Sequence, residues 1–303
     1  MKQLLLIDAN SIIHRSFHAL PPFTTPEGRP SGAIYGIASI LLKLWREDRP
    51  DYAAALFDRP EPTFRDEKYA EYKAQRPPAP DDLVAQIIEA RNIFPAFGVK
   101  TFEKAGFEAD DLIATLAEKF GGTDGLRVVI LTGDRDTLQL VTGDRVVVET
   151  FNKGVSDTTI YDEAAVKEKY GLAPDQLVDY KALVGDASDN IKGVPGIGPK
   201  TATELLRKFG TLDALYRALP GDPKLEKKLG PFKKEADLSR ELVVLERHAP
   251  IEIPPLDALA VEGDPAGARP YFEKMGFDSL IKRMNGKADA EAAGPKSVQG
   301  TIF

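Results

Sequence analysis

The side chains best placed to do chemistry in this sequence are acids that close short apolar runs. Ile7-Asp8, Phe57-Asp58 and Leu131-Thr132-Gly133-Asp134-Arg135-Asp136 put carboxylates where a strand-like segment ends, and open α/β sheets hold their sites at those ends. Glu108-Ala109-Asp110-Asp111 stands at a helix start, and Gly185-Asp186-Ala187-Ser188-Asp189-Asn190 adds two more acids. Singly, each reads as a helix cap or a turn residue. Gathered at one rim, the nine would repel one another unless cations were bound, which predicts hard, oxygen-ligated ions, Mg²⁺ or Mn²⁺. Two such ions about 4 Å apart form a machine for phosphodiester hydrolysis, one activating a water and both neutralising charge on the phosphate.

Composition narrows the alternatives. With no cysteine and three histidines, disulfides, thiolate zinc sites, iron–sulfur clusters and cysteine nucleophiles are excluded, and imidazoles are too few for an all-histidine metal cage plus a base. The net charge of −7 looks hostile to nucleic acid, but setting the nine acids aside leaves the remainder at +2. Basic residues also cluster, with Lys192, Lys200, Arg207 and Lys208 followed by Lys224, Lys227, Lys228, Lys233 and Lys234. The opening Met1–Asp8 run is too short for a signal peptide, and no stretch of roughly 18 apolar residues suits a membrane span. A cytoplasmic protein that does not engage membranes is expected.

The elements that must hold these acids follow an α/β grammar. Strand-like runs at Leu4–Ile7, Tyr52–Phe57, Val99–Phe102, Val128–Leu131 and Val146–Glu149 alternate with helical patterns near Ile34–Trp45, Leu83–Phe94 and Asp110–Phe120, which predicts a mostly parallel sheet flanked by helices. After Asp162 only short helical patterns remain, at Pro174–Val184, Pro199–Phe209, Leu212–Leu219, Lys234–Glu246 and Ala266–Met284. The expected organisation is an α/β core over 1–184, a helical subdomain over 185–284 and a flexible tail over 285–303. No internal repeat is visible at periods of roughly 20 to 50 residues.

Gly193-Val194-Pro195-Gly196-Ile197-Gly198-Pro199-Lys200-Thr201 lies between two helical patterns. A phosphate-binding P-loop is disfavoured because Pro199 separates Gly198 from Lys200 and no apolar strand precedes Gly193. A helix–hairpin–helix over about 190–209 fits better. Gly193, Gly196 and Gly198 would admit a DNA phosphate, the amides at the next helix start would donate to it, and Lys200 would add charge, without reading base sequence.

Taken with Phe64-Arg65, Tyr72-Lys73-Ala74-Gln75-Arg76 and Gly106-Phe107-Glu108-Ala109-Asp110-Asp111, these motifs make the chain resemble the 5′-nuclease (flap endonuclease) superfamily, and within it the bacterial 5′→3′ exonuclease domains found at the N-terminus of DNA polymerases or as separate proteins. The resemblance spans Lys2 to Met284 and implies an α/β nuclease with a helical arch and a helix–hairpin–helix. It implies a first metal site at Asp8, Asp58, Glu108 and Asp110, a second at Asp134, Asp136 and Asp189, and further acids at Asp111 and Asp186. The segment from Pro62 to Pro80 resembles the arch that meets a free 5′ end. There Lys73 and Arg76 match residues at the scissile phosphate, and Arg65, Tyr69 and Arg15 are candidates for phosphate or base contacts. His14 stands where the family often has a base-stacking tyrosine, and Thr201 closes the hairpin motif.

The activity so implied is two-metal hydrolysis of DNA with 5′ ends, flaps or nicks, and of RNA–DNA junctions; monomeric action is the simpler expectation. A PIN-type ribonuclease and a non-catalytic DNA-binding module are the competing readings; the first is usually shorter and lacks the hairpin, and the second needs no acid cluster. No polymerase domain follows, so a self-contained nuclease or a domain of a longer polymerase is expected. The terminal Gln299-Gly300-Thr301-Ile302-Phe303 resembles the peptide by which replication proteins engage a sliding clamp, with Gln299, Ile302 and Phe303 as its contacts.

Overall fold

The computed structural model describes residues 1–154, 157–262 and 265–285. The first strand, β1 (Lys2–Asp8), is central and its apolar residues are wholly buried. Leu5 and Ile7 enter a core on one face, while Leu4 and Leu6 enter a second core on the other, as the two-residue period of a strand requires. A strand covered on both faces shows a continuous apolar run rather than alternation.

Asp8 ends β1 and caps α1 (Ala9–Ala19), its carboxylate accepting from the Ser11 amide. Then follow α2 (Gly32–Glu47), β2 (Tyr52–Phe57), the short α3 (Phe64–Lys68), α4 (Asp81–Ala96), β3 (Lys100–Glu103), α5 (Ala109–Phe120), β4 (Leu126–Thr132), a 3₁₀ turn (Asp136–Leu140), β5 (Val146–Lys153) and β6 (Asp157–Tyr161). The sheet order is β3-β2-β1-β4-β5-β6. The first five strands are parallel and β6 closes one edge antiparallel to β5. The chain builds outward from β1 through β2 and β3, then restarts at β4 on its other side. That reversal is the switch point at which such sheets open a crevice. In register, Asp8 lies beside Leu56 and Ile7 beside Leu131, so the loops carrying Asp58 and Asp134 leave the sheet next to Asp8.

The second part of the chain is helical: α6 (Glu163–Tyr170), α7 (Gln176–Val184), α8 (Pro199–Phe209), α9 (Leu212–Ala218), α10 (Pro223–Leu229), α11 (Lys233–Val243), α12 (Arg269–Met275) and α13 (Asp278–Met284). A separate apolar cluster from Leu172 to Ala236 holds α7 to α11 together. The last two helices instead join the core of α1, α2 and α4.

Several expectations needed adjustment. Helices α1, α6 and α10 and strand β6 are present although the sequence pattern does not mark them. In α1 the apolar positions are interrupted by Asn10, Ser11, His14 and Ser16, and β6 shows little apolar character, with Ile160 largely exposed. The pattern over Ala266–Met284 is two helices because Gly276 turns the chain at a φ of 70°. The helix expected to reach Glu246 ends at Val243, freeing the next residues to pair with the core. Within 62–80 only α3 is helical, and the turns after it lie against the loop carrying Asp189.

Candidate active site

Five acids face one another where β1, β2 and β4 end and α5 begins. Asp8 is 4% exposed; one of its oxygens accepts the Ser11 amide and the other the Thr132 hydroxyl at 2.6 Å. Asp58 accepts the Ala109 amide at 2.7 Å, tying the end of β2 to the start of α5. Glu108 caps α5, and Asp110 sits one residue inside it. Asp134 accepts the Asp136 amide at 2.9 Å. Burial raises Asp8 to about 7, and the neighbouring Asp58 and Asp134 add to that shift. Burial and the charges of Asp8, Asp134, Asp58 and Glu108 also push Asp110 well above the ordinary aspartate range. Among the described residues its Oδ1 is buried without a hydrogen-bond partner. A buried carboxylate oxygen with no donor, surrounded by like charges, is the environment a hard cation relieves.

A second group adjoins the first through Asp134. Burial and Asp134 raise Asp136 to about 7 against the pull of Lys181. The Lys181 ammonium, from the last turn of α7, hydrogen-bonds both Asp136 and Asp186. Although burial opposes ionisation of Asp186, donors from Lys181 and Ser188 hold it down to about 2. Asp189 receives Arg76 at 2.6 Å and the Tyr72 hydroxyl at 3.3 Å.

The segment after α3 places its cations on these acids. Lys73 donates to Glu108 at 2.5 Å and lies 3.9 Å from Asp189. Its φ of 52° puts it in the left-handed region, where a lysine is uncommon, and its amide is held by the Asp189 carbonyl. Tyr72, 5% exposed, donates to Glu108 as well as to Asp189, bridging the two groups. Among the described residues no three acids converge on one point closely enough to enclose an ion as they stand. Lys73, Arg76 and Lys181 instead supply the countercharge. The acid-rich donor set, the crowding of like charges and the orphaned Asp110 oxygen fit divalent cations.

Two of the sequence-derived assignments are corrected. Arg65 is 0% exposed and cannot contact DNA. Its guanidinium makes a two-pronged pair with Asp111 at 2.7 and 2.8 Å and donates to the Leu242 and Val244 carbonyls. Asp111, also 0% exposed, spends its oxygens on Arg65 and on the Glu108 and Glu246 amides, leaving none for a metal. The pair is structural, joining α3, α5 and the segment after α11. Lys181 and Tyr72 also bond the site acids, which the sequence pattern does not mark. Their only signals were a basic last turn before an acidic loop and a tyrosine beside the basic pair of the arch segment.

In the hairpin between α7 and α8, Asp186 and Ile191 pair across the turn, and Val194 and Ile197 are buried. Gly193 is a third correction. It is buried at a φ of 62°, and a Cβ there would lie 2.3 Å from the Gly185 amide nitrogen, so it serves close packing rather than DNA. Gly196 and Gly198 face open space, Lys200 is exposed and Thr201 half-buried. Arg15 bonds the Gly154 carbonyl and stacks on Phe151. His14 is exposed on α1, near enough to Asp58 and Arg76 to feel their charges. Tyr69 donates to Glu71 on the arch surface. Gln299, Ile302 and Phe303 lie outside the described residues. A groove of about 730 Å³ along β3, between Phe102 and Pro254, is lined by none of the acids.

The sequence and the fold also match known proteins. Residues 3–171 match the family profile described as "5′-3′ exonuclease, N-terminal resolvase-like domain", and residues 172–265 match "5′-3′ exonuclease, C-terminal SAM fold". DNA polymerase I of Bacillus subtilis is 38% identical over 301 residues, covering 98% of this chain but 34% of the polymerase. The chain thus spans about a third of the polymerase relatives it matches. A 5′-3′ exonuclease of Aquifex aeolicus is 38% identical over 286 residues, covering 94% of this chain and 96% of that protein. Among solved structures, a bacteriophage T5 flap endonuclease pseudo-enzyme–product complex with DNA and metal ions superposes with a TM-score of 0.63 at 23% identity, covering 94% of this chain and 98% of that one. At that identity the likeness establishes the fold.

Proposed function

Because the chain belongs to the 5′-3′ exonuclease family, we propose that it hydrolyses DNA phosphodiester bonds at or near free 5′ ends, including flaps and nicks, and removes RNA primers at RNA–DNA junctions. The observation that carries this reading is the orphaned Asp110 oxygen among Asp8, Asp58, Asp134 and Glu108, with the basic arch segment beside it. Asp8, Asp58, Glu108 and Asp110 would hold one divalent ion and Asp134, Asp136 and Asp189 a second, with Asp186 bordering that set; Mg²⁺ or Mn²⁺ suits such oxygen donors. When bound, the ions supply charge neutralisation for the phosphate and activation of the attacking water.

The protein's own groups orient the substrate. Lys73 and Arg76, released from Glu108 and Asp189 as cations arrive, would face the scissile phosphate and stabilise charge that grows in the transition state. Gly196, Gly198, Lys200 and Thr201 would grip the duplex backbone, while Arg15, His14 and Tyr69 would meet the strand near its 5′ end. The proposal includes an α/β catalytic unit over 1–184, a helical DNA-binding unit over 185–284, monomeric action in the cytoplasm, and recruitment through Gln299, Ile302 and Phe303 to a sliding clamp.

The test is incubation of a 5′-labelled flap duplex with the protein in Mg²⁺, in Mn²⁺ and in excess EDTA. Metal-dependent release of short 5′-phosphate products is expected. Cleavage that persists in EDTA, or selective cleavage of single-stranded RNA, would overturn the reading.

A further inference from the structure

After α11 the chain runs through Val244–Ala249 without regular structure, yet Leu245 and Ala249 are buried in the core that contains α5 and β4. Backbone polar groups of an irregular buried segment need partners from elsewhere. Here the side chains of Arg65, Asp111, Thr115 and Gln139 provide them.

The partners alternate along the chain. On one side the Leu242 and Val244 carbonyls accept from Arg65, and the Glu246 amide donates to Asp111, the partner of Arg65 on α5. On the other side stands Gln139, from the 3₁₀ turn that opens with Asp136. Its Nε2 donates to the Val243 carbonyl at 3.1 Å, and its Oε1 accepts the Leu245 amide at 3.0 Å. Val244 is extended, and an extended chain has a two-residue period. The segment therefore lies between α5 and the turn as a strap bonded to both.

Gln139 is 5% exposed, and the same Nε2 also donates to the Asp136 carbonyl at 2.9 Å. One amide thus joins the backbone of a site acid to the strap. The far side of the strap is fixed to α5, whose first turn holds Glu108 and Asp110. An apolar residue of the same length would fill the same space, so what Gln139 adds is the direction and reach of its hydrogen bonds.

Resting on the proposed function, we infer that Gln139 is a positioning residue that locks the turn carrying Asp136 to α5 through the strap, and so sets the spacing of the two cation-binding acid groups. Without it the turn keeps its acids but loses its fixed distance from Glu108 and Asp110.

The experiment titrates Mn²⁺ into the metal-free full chain and follows the free ion by electron paramagnetic resonance, with calorimetric melts alongside. Wild type should bind two ions. Gln139→Met keeps the length and removes all three hydrogen bonds. It should weaken one of the two ions by about tenfold, the low end of what losing a ligand-orienting partner costs, and leave the other within about twofold. Gln139→Asn keeps the amide but is too short to reach from Asp136 to the strap, and it should show the same split even if Gln139→Met does not fold. Thr115→Val removes the hydroxyl that bonds the Glu246 carbonyl and the Ala249 amide on the α5 side; it should lower the melting temperature without a split. Two affinities unchanged or equally weakened in the folded Gln139 variants, or the same split in Thr115→Val, would overturn the inference. Fewer than two ions on wild type would instead overturn the two-ion reading on which it rests.

Discussion

Adjacent aspartates on α5 should respond to neutralisation with opposite signs. Asp111 pairs with Arg65, both 0% exposed, through contacts of 2.7 and 2.8 Å, and it also accepts the Glu108 and Glu246 amides. Asp111→Ala leaves a guanidinium in the interior without its counterion, a change that costs about 3–5 kcal/mol. For a chain of this size each kcal/mol moves the melting temperature by roughly 2–4 °C, so a fall of about 10 °C is expected. Asp110 is the reverse case. Its carboxylate is buried among four other acids with one oxygen unpartnered, so Asp110→Asn removes repulsion and should raise the melting temperature of the metal-free protein. Calorimetric melts in EDTA and in Mg²⁺ read both effects. Mg²⁺ should stabilise wild type and Asp111→Ala but lose most of its effect on Asp110→Asn. If the two variants shift the metal-free melting temperature in the same direction, the division of α5 into a structural acid and a site acid fails.

Asp134→Ala or Asp136→Ala should abolish cleavage while leaving duplex affinity in EDTA within about twofold, because ground-state grip comes from the basic helical part; gel cleavage and anisotropy together check this. Lys73→Ala should lower the single-turnover cleavage rate by more than it weakens binding, since it acts on charge in the barrier, and a pure affinity loss in rapid-quench experiments would refute that role. Asp8 and Asp136, raised to about 7, stay protonated in the metal-free fold between pH 4 and 7, where the unfolded chain has already released those protons. Their contribution to metal-free stability therefore falls as pH rises through that window, and Mg²⁺, which needs the ionised forms, should raise the melting temperature more at pH 8 than at pH 5.5. Gly193→Val should unfold the hairpin region, because a Cβ there meets the Gly185 backbone, whereas Gly198→Val faces open space and should affect only DNA affinity; circular dichroism melts beside anisotropy separate the two.

Much of this protein could be read from the order of its residues. The apolar runs of β1, β2 and β4 mark a sheet buried on both faces, and the acids that close them locate the rim where chemistry gathers, because strand direction and residue period are local properties of the chain. The glycine-rich turn before Pro199 likewise announces a helix start, since its φ requirements and its proline are written in single residues. Tertiary structure decided which charges face each other. Asp110 and Asp111 are neighbours in sequence with the same side chain, and only the helical rotation of about 100° per residue turns one toward Asp8 and the other toward Arg65. Arg65 reads as a phosphate contact beside Lys73 and Arg76 until packing against Leu242 and Val244 closes it off from solvent. Lys181 meets Asp136 across 45 positions of sequence. Composition and periodicity specify elements and the faces they bury, but an ion pair depends on the distance between two charges, and only the packed fold sets that distance.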